Sequence, residues 1–151
     1  MEPSNTITKT DEGILNALLE DPRLSYREIA KKAGVSVVTA MNRAKKLEKE
    51  GIIKGYTTKL DYERIGYEFH VMIDMRVSKG RFNEVESKIA KSPNVVACYD
   101  VTGDFDAAII ARFRNRRGLD EFLKRIQKLD FVERTNTKLI LSTVKEKEMG
   151  V

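Results

Sequence analysis

The sequence predicts an α+β protein in two parts, a helical N-terminal part followed by a part with the element order βαββαβ. Apolar residues recur at helical spacing through about the first fifty residues, where serines and glycines mark helix starts and ends. Beyond about residue 66, apolar and polar residues alternate, which is typical of half-buried strands. The chain of 151 residues is long enough for two small cores, so we expect each part to form its own domain.

Three short helices are predicted in the first part. Their predicted limits are Asp11 to Asp21, Ser25 to Gly34 and Ser36 to Gly51. Ser25 and Glu28 have the spacing of a capping box, and Ser36 is a second N-cap. The two glycines supply the positive φ at which helices often end. Because one of them separates the second helix from the third, the pattern predicts a helix-turn-helix.

A β segment is predicted over Ile52–Leu60, because it contains threonine and tyrosine and has no helix signal. Together with the three helices, this segment predicts a winged-type helix-turn-helix domain over residues 1–60. Residues 61–66 end in a glycine and are interpreted as the linker. The second domain is therefore predicted to cover residues 67–151.

The second domain is predicted to have a ferredoxin-like fold. In order, its predicted elements are a strand over 69–77, a helix over 82–91, a strand over 93–101, a turn at 102–104, a strand over 105–113, a helix over 119–126 and a strand over 131–144. Right-handed crossovers then give a four-stranded antiparallel sheet with both helices on one face. The other face includes Ala108 and Ile110, and we expect another subunit to cover it.

Positive charge is concentrated in the segment that contains the second and third helices. The net charge is −4 over residues 1–22, +7 over 23–59 and +2 over 60–151, which gives +5 for the chain. A dense basic patch is the electrostatic footprint of a protein that binds the phosphate backbone. Double-stranded DNA is therefore the predicted partner.

Several other classes of function are disfavoured by what the chain lacks. Cys98 is the single cysteine and His70 the single histidine, so neither an internal disulfide nor a zinc cluster is expected. No run of about 18 apolar residues is present to span a membrane. Met1–Thr10 lacks the apolar core of a signal peptide. We expect a cytoplasmic protein with no metal, no cofactor and no catalytic residues.

The third helix of a helix-turn-helix enters the major groove, so its outward residues are predicted to contact DNA. Asn42 can bind adenine and Arg43 can bind guanine, whereas Val38 and Thr39 can contact a thymine methyl. The predicted phosphate contacts are the side chains of Arg27, Lys45, Lys46, Lys49 and Lys54 and the helix amides near Ser36.

Segments in both halves of the chain resemble one family of regulators. These segments are Ser25–Ala30, Gly34–Ser36, Lys46–Tyr56, the Gly-Asp-aromatic-Asp segment Val101–Asp106 and the last-strand segment Val132–Thr137. On them the chain resembles, over residues 10–145, the Lrp/AsnC family of bacterial and archaeal transcriptional regulators. Charged residues make up 34% of the chain, which is typical of thermophiles, and we expect an archaeal member.

The resemblance implies a homodimer that pairs through the ferredoxin-like sheets and assembles further into a tetramer or octamer. It also implies binding to pseudo-palindromic promoter sites and a response to an amino acid held between subunits. In that site Asp104 or Asp106 would bind the ammonium group, and turn amides with threonine hydroxyls would bind the carboxylate. The expected effector residues are Thr102, Gly103, Asp104, Asp106, Thr135 and Thr137, with Asp120 and Lys124 in a region that helps to select the effector side chain.

Three alternatives remain at this point. The first is a global DNA-organising protein that has no effector. The second is an enzyme similar to haem-pathway decarboxylases, which share the two-part architecture but need basic and histidine side chains around a tetrapyrrole. This chain has a single histidine, His70, near the start of a predicted strand. The third is an RNA-recognition module, which is disfavoured because Phe105–Ile110 lacks the stacking aromatics that such domains place in this strand.

Overall fold

Three helices form one unit of the protein, and a four-stranded sheet with its own helices forms a second. The computed structural model describes residues 7–151, so residues 1–6, including most of the segment considered as a signal peptide, lie outside it. The described chain from residue 7 to Lys59 groups with Lys145–Val151, and Leu60–Val144 forms the other unit. The predicted linker, 61–66, thus falls within the second unit, and the tail groups with the first.

The first unit contains α1 (Lys9–Glu20), α2 (Tyr26–Ala33) and α3 (Val37–Lys49). The predicted capping box at the start of α2 is confirmed, since the hydroxyl of Ser25 accepts from the amide of Glu28 and the carboxylate of Glu28 accepts from the amide of Ser25. These bonds satisfy amides that have no partner within the helix.

Glycine ends both helices of the helix-turn-helix. Gly34 has φ 68° after α2, and Gly51 has φ 72° after α3. Beyond α3, the amide of Ile52 donates to the carbonyl of Leu47 at 3.0 Å, and the amide of Gly51 donates to that of Glu48 at 3.0 Å. This pair of bonds is a Schellman motif, which satisfies the last carbonyls and turns the chain away from the helix axis.

The helices of the first unit pack around a small apolar core. Its buried members are Ile14, Leu15, Ala17, Ile29, Ala30, Ala40, Ala44 and Leu47. The alanines of α3 leave room for the close approach of the other helices. Because the core is small, truncation of one of its large aliphatic side chains to alanine would cost about 2–5 kcal/mol.

The strand predicted over Ile52–Leu60 is wrong. This segment forms no strand, because no other strand of the described chain lies alongside it to complete a ladder. Ile52 and Ile53 instead pack partly buried against the helical core. The hydroxyl of Tyr56 donates to the carboxylate of Glu48 at 2.7 Å, which ties the segment back to α3.

The second unit confirms the predicted order βαββαβ. It contains β1 (Phe69–Val77), α4 (Asn83–Val85) continuing as a π-helical turn over Glu86–Ala90, β2 (Val95–Asp100), β3 (Ala107–Phe113), α5 (Arg116–Gln127) and β4 (Val132–Leu139). The strands are antiparallel in the spatial order β2-β3-β1-β4. The last strand ends at Leu139 and not at Val144 as predicted, because its pairing with β1 ends with Val71 opposite Leu139 and a final bond from the amide of Ile140 to the carbonyl of His70.

One face of the sheet is covered by the helices. Alternate residues of the two central strands are buried on it, from Val71 to Val77 and from Ala107 to Phe113, and they pack with α5 residues such as Phe122 and Ile126. The opposite face carries the other half of the alternation. At its centre Met72 is paired with Ile110, and Asp74 with Ala108, and all four are partly exposed.

Candidate DNA-binding surface and effector site

The outer face of α3 is the exposed surface of the helix-turn-helix. Because α3 buries Ala40, Ala44 and Leu47 in the core, the residues on its opposite side face solvent. Val38 is 62% exposed, and Asn42 is exposed as well. An apolar methyl-bearing side chain and an amide therefore stand on the surface that the sequence predicted to meet base edges.

Several exposed cations lie on α2, on α3 and just beyond α3. The exposed residues Arg27, Lys45, Lys49 and Lys54 make no ion pair within the described chain, whereas Lys46 lies 3.6 Å from the carboxylate of Glu50. Cations without an internal partner are available to neutralise phosphates.

The N-terminus of α3 is capped by side chains. The hydroxyl of Ser36 accepts from the amide of Thr39 at 3.1 Å, which confirms Ser36 as the N-cap. The two hydroxyls are 2.8 Å apart, so the hydroxyl of Thr39 also belongs to the cap. A DNA contact by Thr39 would therefore have to come from its methyl group or from a shared hydroxyl.

Arg43, predicted to bind guanine, lies against α1. Its Nε donates to Asp11 at 2.8 Å, and its Nη2 also contacts the Asp11 carboxylate. Asp11 is 2% exposed, and the bond from Arg43 together with those from Thr8 holds the pKa of this carboxyl well below its ordinary value. From the sequence, Asp11 was predicted only to mark the start of the first helix.

The spacing of buried residues along α3 contains a signal for the position of Arg43. Arg43 follows the buried Ala40 by three residues and precedes the buried Leu47 by four, so it lies on the flank of the inner face. Asp11 is the N3 residue of a capping box with Thr8, a position that favours an acid.

The predicted effector turn joins β2 to β3 in the second unit. Thr102, Gly103 and Asp104 are all exposed, and Gly103 has φ 113°. The turn is closed by a bond of 3.0 Å from the amide of Val101 to the carbonyl of Asp106. Its backbone and the Asp104 side chain therefore face solvent at one end of the sheet.

Two arginines beside this turn were missed by the sequence analysis. Arg76 donates through Nη1 to the carbonyl of Asp104 at 3.1 Å and lies 3.8 Å from the carboxylate of Glu133. The guanidinium of Arg134 lies over the ring of Phe105, 4.7 Å from its centroid. The two arginines are register partners on β1 and β4, so pairing of these strands could have indicated that both lie near the turn.

The side chain of Asp106 makes a hydrogen bond to the backbone of β1 that the sequence did not predict. Its Oδ2 accepts from the amide of Val77 at 2.7 Å, where the β1–β4 pairing shifts register. Its own amide donates to the carbonyl of Met75 at 2.9 Å. Asp106 thus secures the end of β1, which leaves Asp104 as the exposed carboxylate of this turn.

The remaining predicted effector residues lie on β4 and α5. Thr135 is paired with Met75 and accepts from Gln127 of α5 at 3.1 Å, whereas Thr137 is paired with Ile73 and is exposed. Asp120 lies 3.7 Å from Arg116 on the preceding turn of the helix, and no bond joins it to Lys124. Thr135 therefore lies near the same end of β1 as the turn, but on β4, across β1 from the turn. Asp120 and Lys124 lie apart from it on α5.

Neither a metal site nor a membrane span emerges from the described residues. No group of three or more histidine, cysteine or acidic side chains within residues 7–151 could hold a metal ion. Over the same residues, every helix is too short or too polar to cross a bilayer.

A helix-turn-helix with a basic outer face and a βαββαβ domain together define a class of proteins, the two-domain transcriptional regulators. The Lrp/AsnC ligand binding domain model matches residues 70–149, and a winged helix-turn-helix DNA-binding model matches residues 7–54. The chain belongs to the Lrp/AsnC family, as the sequence resemblance predicted, and is a DNA-binding transcriptional regulator and not an enzyme.

Archaeal relatives support this assignment over nearly the full length. An uncharacterized HTH-type transcriptional regulator of Pyrococcus furiosus is 47% identical, over 93% of this chain and 95% of the relative. The HTH-type transcriptional regulator FL11 of Pyrococcus horikoshii is 36% identical, over 93% of each chain.

Solved structures share the fold. E. coli AsnC has a TM-score of 0.88 at 27% identity, covering 97% of this chain and 99% of that one. A transcriptional regulator of Neisseria meningitidis in complex with L-Met has a TM-score of 0.88 at 25% identity, covering 94% of each chain.

Proposed function

We propose that this regulator recognises specific DNA sequences by inserting α3 into the major groove, with Val38, Thr39 and Asn42 at base edges. The observation that carries the proposal is the exposed outer face of α3, where Asn42 lies near Lys45 and Lys49, which make no ion pair among the described residues. An asparagine amide can bind adenine through two hydrogen bonds. In this proposal the phosphate ligands are Arg27, Lys45, Lys46, Lys49, Lys54 and the amides near Ser36.

Footprinting tests whether the protein binds specific sites. On DNA upstream of the protein's own gene, we expect discrete protected segments repeated at about one helical turn, 10–10.5 base pairs, because paired modules contact successive grooves on one side of the duplex. Uniform protection at all positions would contradict sequence-specific regulation and favour the DNA-organising alternative.

We further propose that an amino acid binds at the β2–β3 turn and modulates DNA binding or assembly. The turn presents the exposed carboxylate of Asp104 and backbone amides at Thr102 and Gly103, and Arg76 and Arg134 add positive charge beside it. A zwitterion needs both an anionic and a cationic partner. The structural neighbour from Neisseria meningitidis was solved with L-Met, which supports this class of ligand.

A thermal-shift panel of the twenty amino acids tests the effector proposal. A ligand that binds only the native state stabilises it by about 2.7 kcal/mol at a concentration of 100 Kd. We expect one amino acid or a chemically related group to raise the unfolding temperature. If no amino acid does so at millimolar concentration, the effector proposal is wrong and DNA binding alone remains.

We also propose that a second copy of the chain covers the open face of the sheet. The apolar residues Met72, Ala108 and Ile110 lie at the centre of that face and are only partly shielded within one chain. Burial of apolar surface of this kind stabilises association by about 25 cal/mol per Å². The dimer formed in this way is the unit expected to assemble into tetramers or octamers.

A further inference from the structure

We propose that Asp11 and Arg43 form a positioning pair that fixes α3 on α1 and withholds the Arg43 charge from DNA. This inference rests on the proposed entry of α3 into the major groove. It assigns Arg43 a role different from that of its neighbours on α3. Asn42 and the lysines contact DNA, whereas Arg43 determines how the helix that bears them is held.

The carboxylate of Asp11 is fully engaged. It accepts from the amide and the hydroxyl of Thr8, each at 2.8 Å, from Nε of Arg43 at 2.8 Å, and from Nη2 of Arg43. The side chain of Arg43 is 30% exposed, whereas that of Asp11 is 2% exposed. A buried carboxylate that loses its cation becomes an uncompensated charge, so Arg43 is strongly held where it is.

The geometry of the pair suits the positioning of a helix. The capping box fixes Asp11 at the first turn of α1, and Arg43 leaves α3 midway along that helix. Two parallel bonds from a planar guanidinium restrict the angle between the two groups as well as their distance. A lysine in place of Arg43 would preserve the charge but would lose that angular restriction.

The pairing of Arg43 with Asp11 lowers the positive charge that α3 can offer to DNA. The cation of Arg43 is already neutralised within the chain, whereas Lys45 and Lys49 have no ion pair among the described residues. Each cation that contacts a phosphate steepens the dependence of affinity on salt by about one unit of log K against log salt. Arg43 should therefore contribute nothing to this slope.

The experiment compares full-length variants on two duplexes, one enriched from a random pool by the wild-type protein and one of random sequence. Affinity is measured by fluorescence anisotropy between about 50 and 200 mM salt, a range over which phosphate contacts cause a large change in affinity. The variants are Arg43→Lys, Asp11→Asn and a double variant that combines Asp11→Asn with Arg43→Gln, called the double exchange below. Lys49→Ala is the control for loss of a phosphate contact. Circular dichroism at the assay temperature selects the variants that are folded.

We expect Lys49→Ala to lower the salt slope by about one on both duplexes. Arg43→Lys should keep the wild-type slope and lose about tenfold in affinity on the enriched duplex, with less than about threefold loss on the random one. Asp11→Asn should steepen the slope by about one, because it releases the Arg43 cation to the DNA.

The double exchange decides the question even if Asp11→Asn fails to fold, because it leaves no unpaired charge in the interior. It should keep the wild-type slope and lose preference for the enriched duplex. A salt slope about one lower than that of the wild type would place Arg43 on a phosphate and overturn the inference. The inference would also be overturned if both the double exchange and Arg43→Lys kept the wild-type preference for the enriched duplex. If the wild type itself shows no preference, specific recognition fails, while the slope still shows whether Arg43 contacts DNA.

Discussion

Single side chains on α3 divide into those that face solvent and those that face the protein. Asn42 and Arg43 are adjacent in the sequence, and both can make two hydrogen bonds to a base edge. The helix separates them, since Asn42 is exposed and Arg43 is bound to Asp11. Residue type alone predicted a base contact for each of them, whereas the positions of the buried residues along the helix distinguish an exposed side chain from one that is bonded within the protein.

Asn42→Ala should lower affinity for the enriched duplex by about 1–3 kcal/mol, because the amide is the base-binding group in the proposed complex. Affinity for random DNA should change little, since no phosphate contact is lost. Lys49→Ala, which removes a phosphate ligand, should weaken both complexes alike. Equal losses on both duplexes for Asn42→Ala would contradict a base contact by this residue.

Asp104→Asn should abolish or strongly weaken the thermal shift caused by the effector, because it removes the negative charge that binds the ammonium group. DNA binding by the unliganded protein should be unchanged. Asp61→Asn is the matched control, because Asp61 is an exposed aspartate of the second unit that is paired with Arg64 and is not among the expected effector residues. A wild-type thermal shift in Asp104→Asn would exclude this carboxylate from the site.

Secondary-structure elements were predicted well where local chemistry determines them. The capping box at Ser25 and the terminators Gly34 and Gly51 act within one helix turn, so a sequence pattern is sufficient to find them. The segment Ile52–Leu60 was wrongly predicted because β propensity describes residues that suit a strand but does not provide a strand to pair with. The end of β4 was misplaced for the same reason.

The helix terminator Gly51 provides a test at the scale of one element. Gly51→Ala should destabilise the first unit by roughly 1–2 kcal/mol, because a side chain at φ 72° is strained although nothing crowds it. The loss would be measured by urea unfolding.

A glycine elsewhere in the chain provides the matched control. Gly118 lies inside α5 at an ordinary helical φ, and an added Cβ would meet its neighbours at 3.6 Å or more. Gly118→Ala should therefore stabilise the second unit by about 0.4–1 kcal/mol. Equal effects of the two substitutions would show that positive φ is not the cause.

At the scale of the whole molecule, alternation in the strands predicted both the sheet and the existence of an open face. The central pair of strands buries one side of its alternation beneath the helices and leaves Met72 and Ile110 on the other. What covers that face could not be derived from periodicity, because a pattern within one chain does not specify a partner. The same limit applies to the effector site, where Arg76 and Arg134 meet only once the strands are in register.

Ile110→Glu should convert the assembled protein to monomers, because it places a charge at the centre of the proposed interface without a partner. Sedimentation or light scattering would measure the mass, and circular dichroism would verify that the fold is kept. Lys128→Glu, at the exposed end of α5 on the helix-covered side of the sheet, is the control and should leave the mass unchanged. Assembly by Ile110→Glu at the wild-type size would exclude this face as the interface.

The ion pair between Asp74 and Lys138 has a consequence for the solution behaviour of the protein. The two groups are 2.5 Å apart on the open face of the sheet, so the charge of Asp74 is balanced before any second chain arrives. Added salt should therefore weaken contacts at the centre of that face only slightly. It should weaken DNA binding strongly, because salt cations compete with the lysines of α3 for the phosphates. Raising the ionic strength should strip the protein from DNA in its assembled form, with dissociation from the nucleic acid preceding any separation of subunits.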